Sequence, residues 1–173
     1  MQQARQSSTA TIFQQQATAD ICDAYPAAQI IQSQFLSFGG NGKCVGPVEI
    51  VATQDDNSLV KTALSEAGEG RVLFVDNSAS INCAMLGGDL AALAADNGWA
   101  GIVINGAVRD ADELTATPIA VFALATCPRK SKKRGLGTIG QPVRVGGTYI
   151  RRHDLIAADS DGVVFLASWA AKG

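Results

Sequence analysis

Two short segments hold the residue types from which an anion and metal site is built. One is Gly87-Gly88-Asp89-Leu90; the other is Arg109-Asp110. Each follows a predicted strand, and ligands of parallel sheets gather at such strand ends. Gly87 and Gly88 let backbone approach a ligand closely, and a helix starting there offers unsatisfied N–H groups to an anion. Arg109 can clamp a carboxylate with two directed hydrogen bonds. Asp110 can hold a hard divalent ion, because one carboxylate plus substrate oxygens and waters suffices for Mg²⁺. Such an ion polarises a keto oxygen and stabilises an enolate. The same residues also have a plain structural use. A glycine pair enters tight turns, Asp89 suits a helix N-terminus, and Arg109-Asp110 suits a polar loop. The segment lacks the lysine and hydroxyl of a P-loop and the GxGxxG spacing, which argues against a nucleotide.

Other polar features read more blandly. His153 has no second histidine to join it as a ligand, and beside Arg151, Arg152 and Asp154 it reads as a polar turn residue. Cys22, Cys44, Cys83 and Cys127 show neither zinc-ligand spacing nor a Cys-His nucleophile pattern. They read as inert, reduced thiols of a cytoplasmic protein. Arg129, Lys130, Lys132, Lys133 and Arg134 form a basic run. It suits RNA phosphates, a solvated loop or an oligomer contact.

The elements that would carry these groups follow from periodicity. A short helix starts at 18–20 with Asp20 as its cap, and glycines 39, 40 and 42 mark a turn. A strand spans 43–53, with Pro47 making it irregular or an edge. Leu59, Val60, Ala63 and Leu64 give a helix over 57–66. Strands follow at 71–76 and 101–104, and between them a helix runs from Leu86 to Asn97, stopped by Gly98. This strand–helix–strand crossover requires a partly parallel sheet. Further strands are predicted at 119–125, 143–145, 148–150 and 163–166, with 127–138 as loop and Gly146-Gly147 as a turn. The fold class is α/β, a compact domain with mixed parallel and antiparallel strands.

Size and charge agree. The chain has 173 residues, 47% hydrophobic and 17% charged, enough to bury a sizeable core. Its 14 Lys+Arg against 16 Asp+Glu give a net charge of −2, so no whole-chain electrostatic case for nucleic acid exists. No run is long and apolar enough for a bilayer, and the Gln/Ser/Thr-rich start has no signal core. Residues 1–17 are expected to be a flexible extension and 18–173 a single domain.

Much of the chain resembles the RraA-like family, which includes 4-hydroxy-4-methyl-2-oxoglutarate aldolases and regulators of ribonuclease activity. The resemblance runs through Asp20-Ile21-Cys22-Asp23-Ala24, Phe38-Gly39-Gly40 and Asp56-Asn57-Ser58-Leu59-Val60. It is densest from Gly88-Asp89-Leu90 to Gly106-Ala107-Val108-Arg109-Asp110, and resumes in Pro128-Arg129-Lys130-Ser131, Lys133-Arg134-Gly135, Gly146-Gly147 and Ala158-Asp159-Ser160-Asp161-Gly162. It implies a swivelling ββα-type fold, a homotrimer or dimer of trimers, and active sites near subunit interfaces. It further implies that backbone N–H groups from Gly87 to Leu90 and the Arg109 guanidinium hold a 2-oxo acid carboxylate. Asp110 would be the protein ligand of Mg²⁺ or Mn²⁺, and Asp89 would orient a water for proton transfer. The implied reaction is retro-aldol cleavage of 4-hydroxy-4-methyl-2-oxoglutarate to pyruvate, with oxaloacetate decarboxylation through the same enolate. Asn41 and Asn82 depart from the family's pattern, standing where arginine is common. The alternative is a non-enzymatic regulator that binds and inhibits an RNA-degrading enzyme; Asp110 tilts the reading toward the lyase, since the regulator-type pattern lacks that acidic ligand.

Overall fold

The computed structural model describes residues 17–168. The rest of the expected extension, 1–16, lies outside them. The centre is a run of largely apolar strands: β3 (Cys44–Ala52), β4 (Val72–Asp76), β6 (Gly101–Val108) and β7 (Ala120–Thr126). They lie side by side in the order β3-β4-β6-β7, parallel throughout. Parallel strands are covered on both faces, which is why they read as continuous hydrophobic runs. Alternate side chains divide accordingly. Leu73, Val75, Ile102, Ile104 and Val121 face one core with Leu64, Ala91, Ala94 and Leu114 from the helices. Val72, Phe74, Val103 and Phe122 face the other, with Val143, Ile150, Ile156 and Phe165.

The first layer consists of α2 (Ser58–Leu64), α3 (Gly88–Asp96) and α4 (Ala111–Ala116), each carrying the chain between parallel strands. The second holds the hairpin of β9 (Val143–Val145) and β10 (Thr148–Ile150), whose turn places Gly146 and Gly147 at φ 53° and 81°. Short strands complete the sheet: β1 (Gln29–Ile30), β2 (Leu36–Ser37), β5 (Ala84–Leu86), β8 (Thr138–Ile139), β11 (Leu155–Asp159) and β12 (Gly162–Leu166). This two-layered, mixed α/β arrangement is the swivelling ββα fold the resemblance implied. Among the described residues, no helix is long and apolar enough to cross a membrane.

Strand β3 joins the two halves. Cys44–Pro47 pair antiparallel with β11, and Val48–Ala52 pair parallel with β4. Pro47 sits at this change of partner, where the β4 ladder has not yet begun and a missing N–H is tolerated. The expected irregularity is therefore present, but the strand is internal and not an edge. Next to it, buried Glu49 accepts Arg71 Nη1 at 3.1 Å and Arg152 Nη2 at 2.7 Å, tying both neighbours to the junction.

Several boundaries differ from expectation. Helix α1 (Thr18–Ala24) begins two residues before Asp20, which lies in its first turn without capping it. Thr18 instead donates its N–H and hydroxyl to Asp159 at 2.8 and 2.6 Å, fixing the helix to the β11–β12 turn. Leu86 belongs to β5 and not to the helix. The extended backbone of Gly87 (φ −133°, ψ −168°) separates them, and α3 starts at Gly88. Gly98, at φ 77°, ends the following turn as expected. Residues 105–108, read as loop, continue β6. Asn105 and Gly106 look loop-like in sequence, yet Asn105 Nδ2 donates to Asp76 Oδ1 on the adjacent strand at 3.0 Å.

Candidate functional site

A cavity of about 500 Å³ lies at the carboxyl ends of β5 and β6. From β5 and α3 come Leu86, Gly87, Asp89 and Leu90; from the end of β6 come Arg109 and Asp110. The two segments singled out in the sequence are thus brought together, 22 residues apart in the chain, by a direct bond. Gly88 N–H donates to Asp110 Oδ2 at 3.0 Å. Arg109 Nε lies 3.8 Å from the same oxygen.

The local geometry explains the residue types. Asp110 is left-handed (φ 58°, ψ 45°), a conformation that aspartate and asparagine tolerate better than most side chains. It turns the chain abruptly from β6 into α4 and aims the carboxylate back at α3. A Cβ on Gly87 would come within 2.5 Å of Asp110 Oδ2, so the carboxylate occupies space only glycine leaves open. Among the described residues, the amides of Asp89 and Leu90 meet no acceptor, as expected in the first turn of a helix. These two remain for an anion, whereas Gly88, counted in the same expected cradle, is occupied by Asp110.

A metal fits this donor set. The Asp110 side chain is 37% exposed, and among the described residues its Oδ1 has no hydrogen-bond donor. No group of three or more His, Cys, Asp or Glu side chains able to hold a metal occurs among the described residues. One hard carboxylate oxygen beside open space suits Mg²⁺ or Mn²⁺, which keep several waters and take substrate oxygens; it does not suit Zn²⁺, which wants nitrogen or sulfur.

Another part of the lining was not foreseen as part of the site. It comprises Asn57, Ser58 and Lys61 around the start of α2, and Lys130, Ser131 and Lys133 from the basic run. That run is not simply a solvated loop. Ala84 N–H donates to Arg129 O at 2.8 Å, Lys132 N–H to Asp55 O at 3.1 Å, and Gly135 N–H to Ser58 Oγ at 3.1 Å. Arg134 N–H donates to buried Asp56. Burial alone would raise the Asp56 carboxyl, but hydrogen bonds from Ser58 and from the amides of Arg134 and Leu136 outweigh it and hold the pKa at about 2. The alternation of lysine, serine and lysine at 130, 131 and 133 was visible; the partners that turn two of those lysines into the cavity are distant in sequence.

The remaining candidates lie elsewhere. His153 is an exposed turn residue at φ 69°, its N–H donating to Val48 O at 2.8 Å. Asp159 and Asp161 form the β11–β12 turn, where Asp161 N–H donates to Asp159 Oδ1 at 2.9 Å. Burial pushes the Cys44 thiol up to about 12, and burial with the Asp55 charge pushes Cys83 up to about 11, so neither is a ready nucleophile. Asn82 Nδ2 reaches Asp55 Oδ2 at 3.5 Å and the Asn41 N–H donates to Ile119 O at 3.2 Å. Neither asparagine lines the cavity.

The swivelling ββα fold, with its arginine-aspartate pair beside a helix start, sets the class within which the comparisons fall. The chain belongs to the RraA-like family: the pattern described as Aldolase/RraA matches residues 18–165. A Burkholderia mallei (strain SAVP1) relative named "Putative 4-hydroxy-4-methyl-2-oxoglutarate aldolase" is 49% identical over 154 residues, 86% of this chain and 93% of that protein. The solved structure of an RNA-processing inhibitor RraA from Thermus thermophilis is 42% identical, with a TM-score of 0.85 over 88% of this chain and 93% of that one. A Geobacillus kaustophilus structure, described as an S-adenosylmethionine: 2-dimethylmenaquinone methyltransferase, is 40% identical with a TM-score of 0.86, covering 88% and 95%. The three names describe three different roles on one fold, so function has to be argued from the site.

Proposed function

We propose that this chain is a divalent-metal-dependent carbon–carbon lyase that cleaves 4-hydroxy-4-methyl-2-oxoglutarate to two pyruvates, and that it also decarboxylates oxaloacetate. The observation that carries this reading is the placement of Arg109 and Asp110 on one cavity wall, bonded to the N-terminus of α3. The likeness to the Burkholderia relative named "Putative 4-hydroxy-4-methyl-2-oxoglutarate aldolase" supports it.

Arg109 binds the C1 carboxylate of the 2-oxo acid, and the free amides of Asp89 and Leu90 add hydrogen bonds to the same anion. This fixes the C2 carbonyl toward Asp110, whose carboxylate would hold Mg²⁺ or Mn²⁺. A divalent ion there supplies Lewis acidity toward a keto oxygen. Asp89, exposed in the first turn of α3 and lining the same cavity, moves the proton. Through a positioned water it accepts the C4 hydroxyl proton. The C3–C4 bond then breaks, its electron pair becomes the enolate of one pyruvate, and the C4 fragment leaves as the other. Return of a proton to C3 completes the cycle.

The test is pyruvate release from metal-stripped protein, given each substrate with and without Mg²⁺ or Mn²⁺ and compared with metal alone. Release that needs both protein and metal is expected. If folded, metal-loaded protein releases none, the lyase reading fails. The likeness to the Thermus RNA-processing inhibitor then makes inhibition of RNA degradation the next measurement.

A further inference from the structure

The cavity has a second charged end that the reaction above does not use. Its lining carries four cationic side chains, Lys61, Arg109, Lys130 and Lys133, against two carboxylates, Asp89 and Asp110. Arg109 and both carboxylates come from the end of β6 and the start of α3, and the three lysines come from α2 and the basic run. The lining also includes Ser131, only 6% exposed, whose Oγ is buried without a hydrogen-bond partner among the described residues. A hydroxyl buried in this way normally finds an acceptor or donor in the protein or in a bound molecule. The lysines come from two elements brought into register. Lys61 rides on α2, while Lys133 Nζ donates to Asn57 Oδ1 at 3.2 Å, and Asn57 Nδ2 in turn donates to Met85 O of β5 at 3.3 Å.

We infer that Lys61, Lys130, Lys133 and Ser131 form an anion subsite for the second carboxylate of a 2-oxo diacid, making the cavity selective for dianionic over monoanionic substrates. This rests on the reading that a 2-oxo acid enters at Arg109. The lysines supply charge to the distal carboxylate, and the Ser131 hydroxyl supplies a directed hydrogen bond. A cavity of about 500 Å³ has room for both ends of a five-carbon diacid. Neither Asn41 nor Asn82 lines this space.

The experiment is calorimetric binding, with Mg²⁺ present, of 2-oxoglutarate and of pyruvate. 2-Oxoglutarate lacks the C4 hydroxyl and undergoes no retro-aldol cleavage, so binding is read without turnover. Wild type should prefer 2-oxoglutarate by about tenfold, the scale of one charge-assisted hydrogen bond. Lys61→Met and Lys133→Met should each shrink that preference, and the double variant should abolish it, with pyruvate affinity held within about twofold. Ser131→Ala should lower 2-oxoglutarate affinity a few-fold without lowering thermal stability, since it removes a hydroxyl with no partner in the fold. Equal losses for both ligands, no loss for either, or no dianion preference in wild type would each overturn the subsite. A lysine-dependent preference in a protein that releases no pyruvate would leave the subsite standing and defeat the lyase alone. Pyruvate release with a lysine-independent preference would do the reverse.

Discussion

Asp110 shows how a backbone angle and a charge can be tested apart. The residue is left-handed, and its carboxylate accepts the Gly88 amide. Asparagine tolerates that conformation and keeps an oxygen for the amide, so Asp110→Asn removes charge with little strain. Alanine lacks the short polar side chain that eases the left-handed region, and Asp110→Ala should additionally lose about 1 kcal/mol of stability. Both variants should lose metal-dependent pyruvate release by at least about 100-fold, the upper end of what losing even an outer partner of a metal costs. Only the alanine variant should show a shifted urea midpoint. An asparagine variant with near-normal turnover in Mg²⁺ would remove Asp110 from its role. The pair Arg109-Asp110 was legible in the sequence because both residues follow a β-branched run at its end. The left-handed turn was not, since no glycine or asparagine marks it.

At the scale of elements, the basic run depends on Asp56. Its folded pKa of about 2 lies below the ordinary value of 3.8, so the charged form is the one the fold favours. The stabilisation is therefore complete above pH 3.8 and is lost as pH falls from there toward 2. The stability gap between wild type and Asp56→Asn, read from urea midpoints, should be full at about pH 5 and close toward about pH 2. A gap independent of pH over that interval would mean that the carboxylate charge does not hold the loop. The sequence revealed the basic run but not its orientation. Arg134 reaches Asp56 across 78 residues, and Lys133 reaches Asn57 across 76, separations over which periodicity carries no signal. Elements with a clear pattern, such as β4 and α2, were legible. Strand β5, three residues buried on every side, merged with the helix that follows it.

For the whole molecule, the parallel layer and the antiparallel β11–β12 layer meet along one strand. That β3 was a strand could be read from its composition; that it changes partner at Pro47 could not, because pairing is decided by segments more than 100 residues downstream. The handover has a kinetic meaning. Val48–Ala52 are bonded into β4 on one edge, while β8 and the turn before β11 cover the other, so the segment is held from both sides. In a hydrogen–deuterium exchange experiment they should be the slowest in the chain, with an opening free energy equal to that of global unfolding. The first-turn amides of α3, which face the cavity, should exchange well before them. The region that binds would then be free to breathe while the seam holding the two layers stays closed.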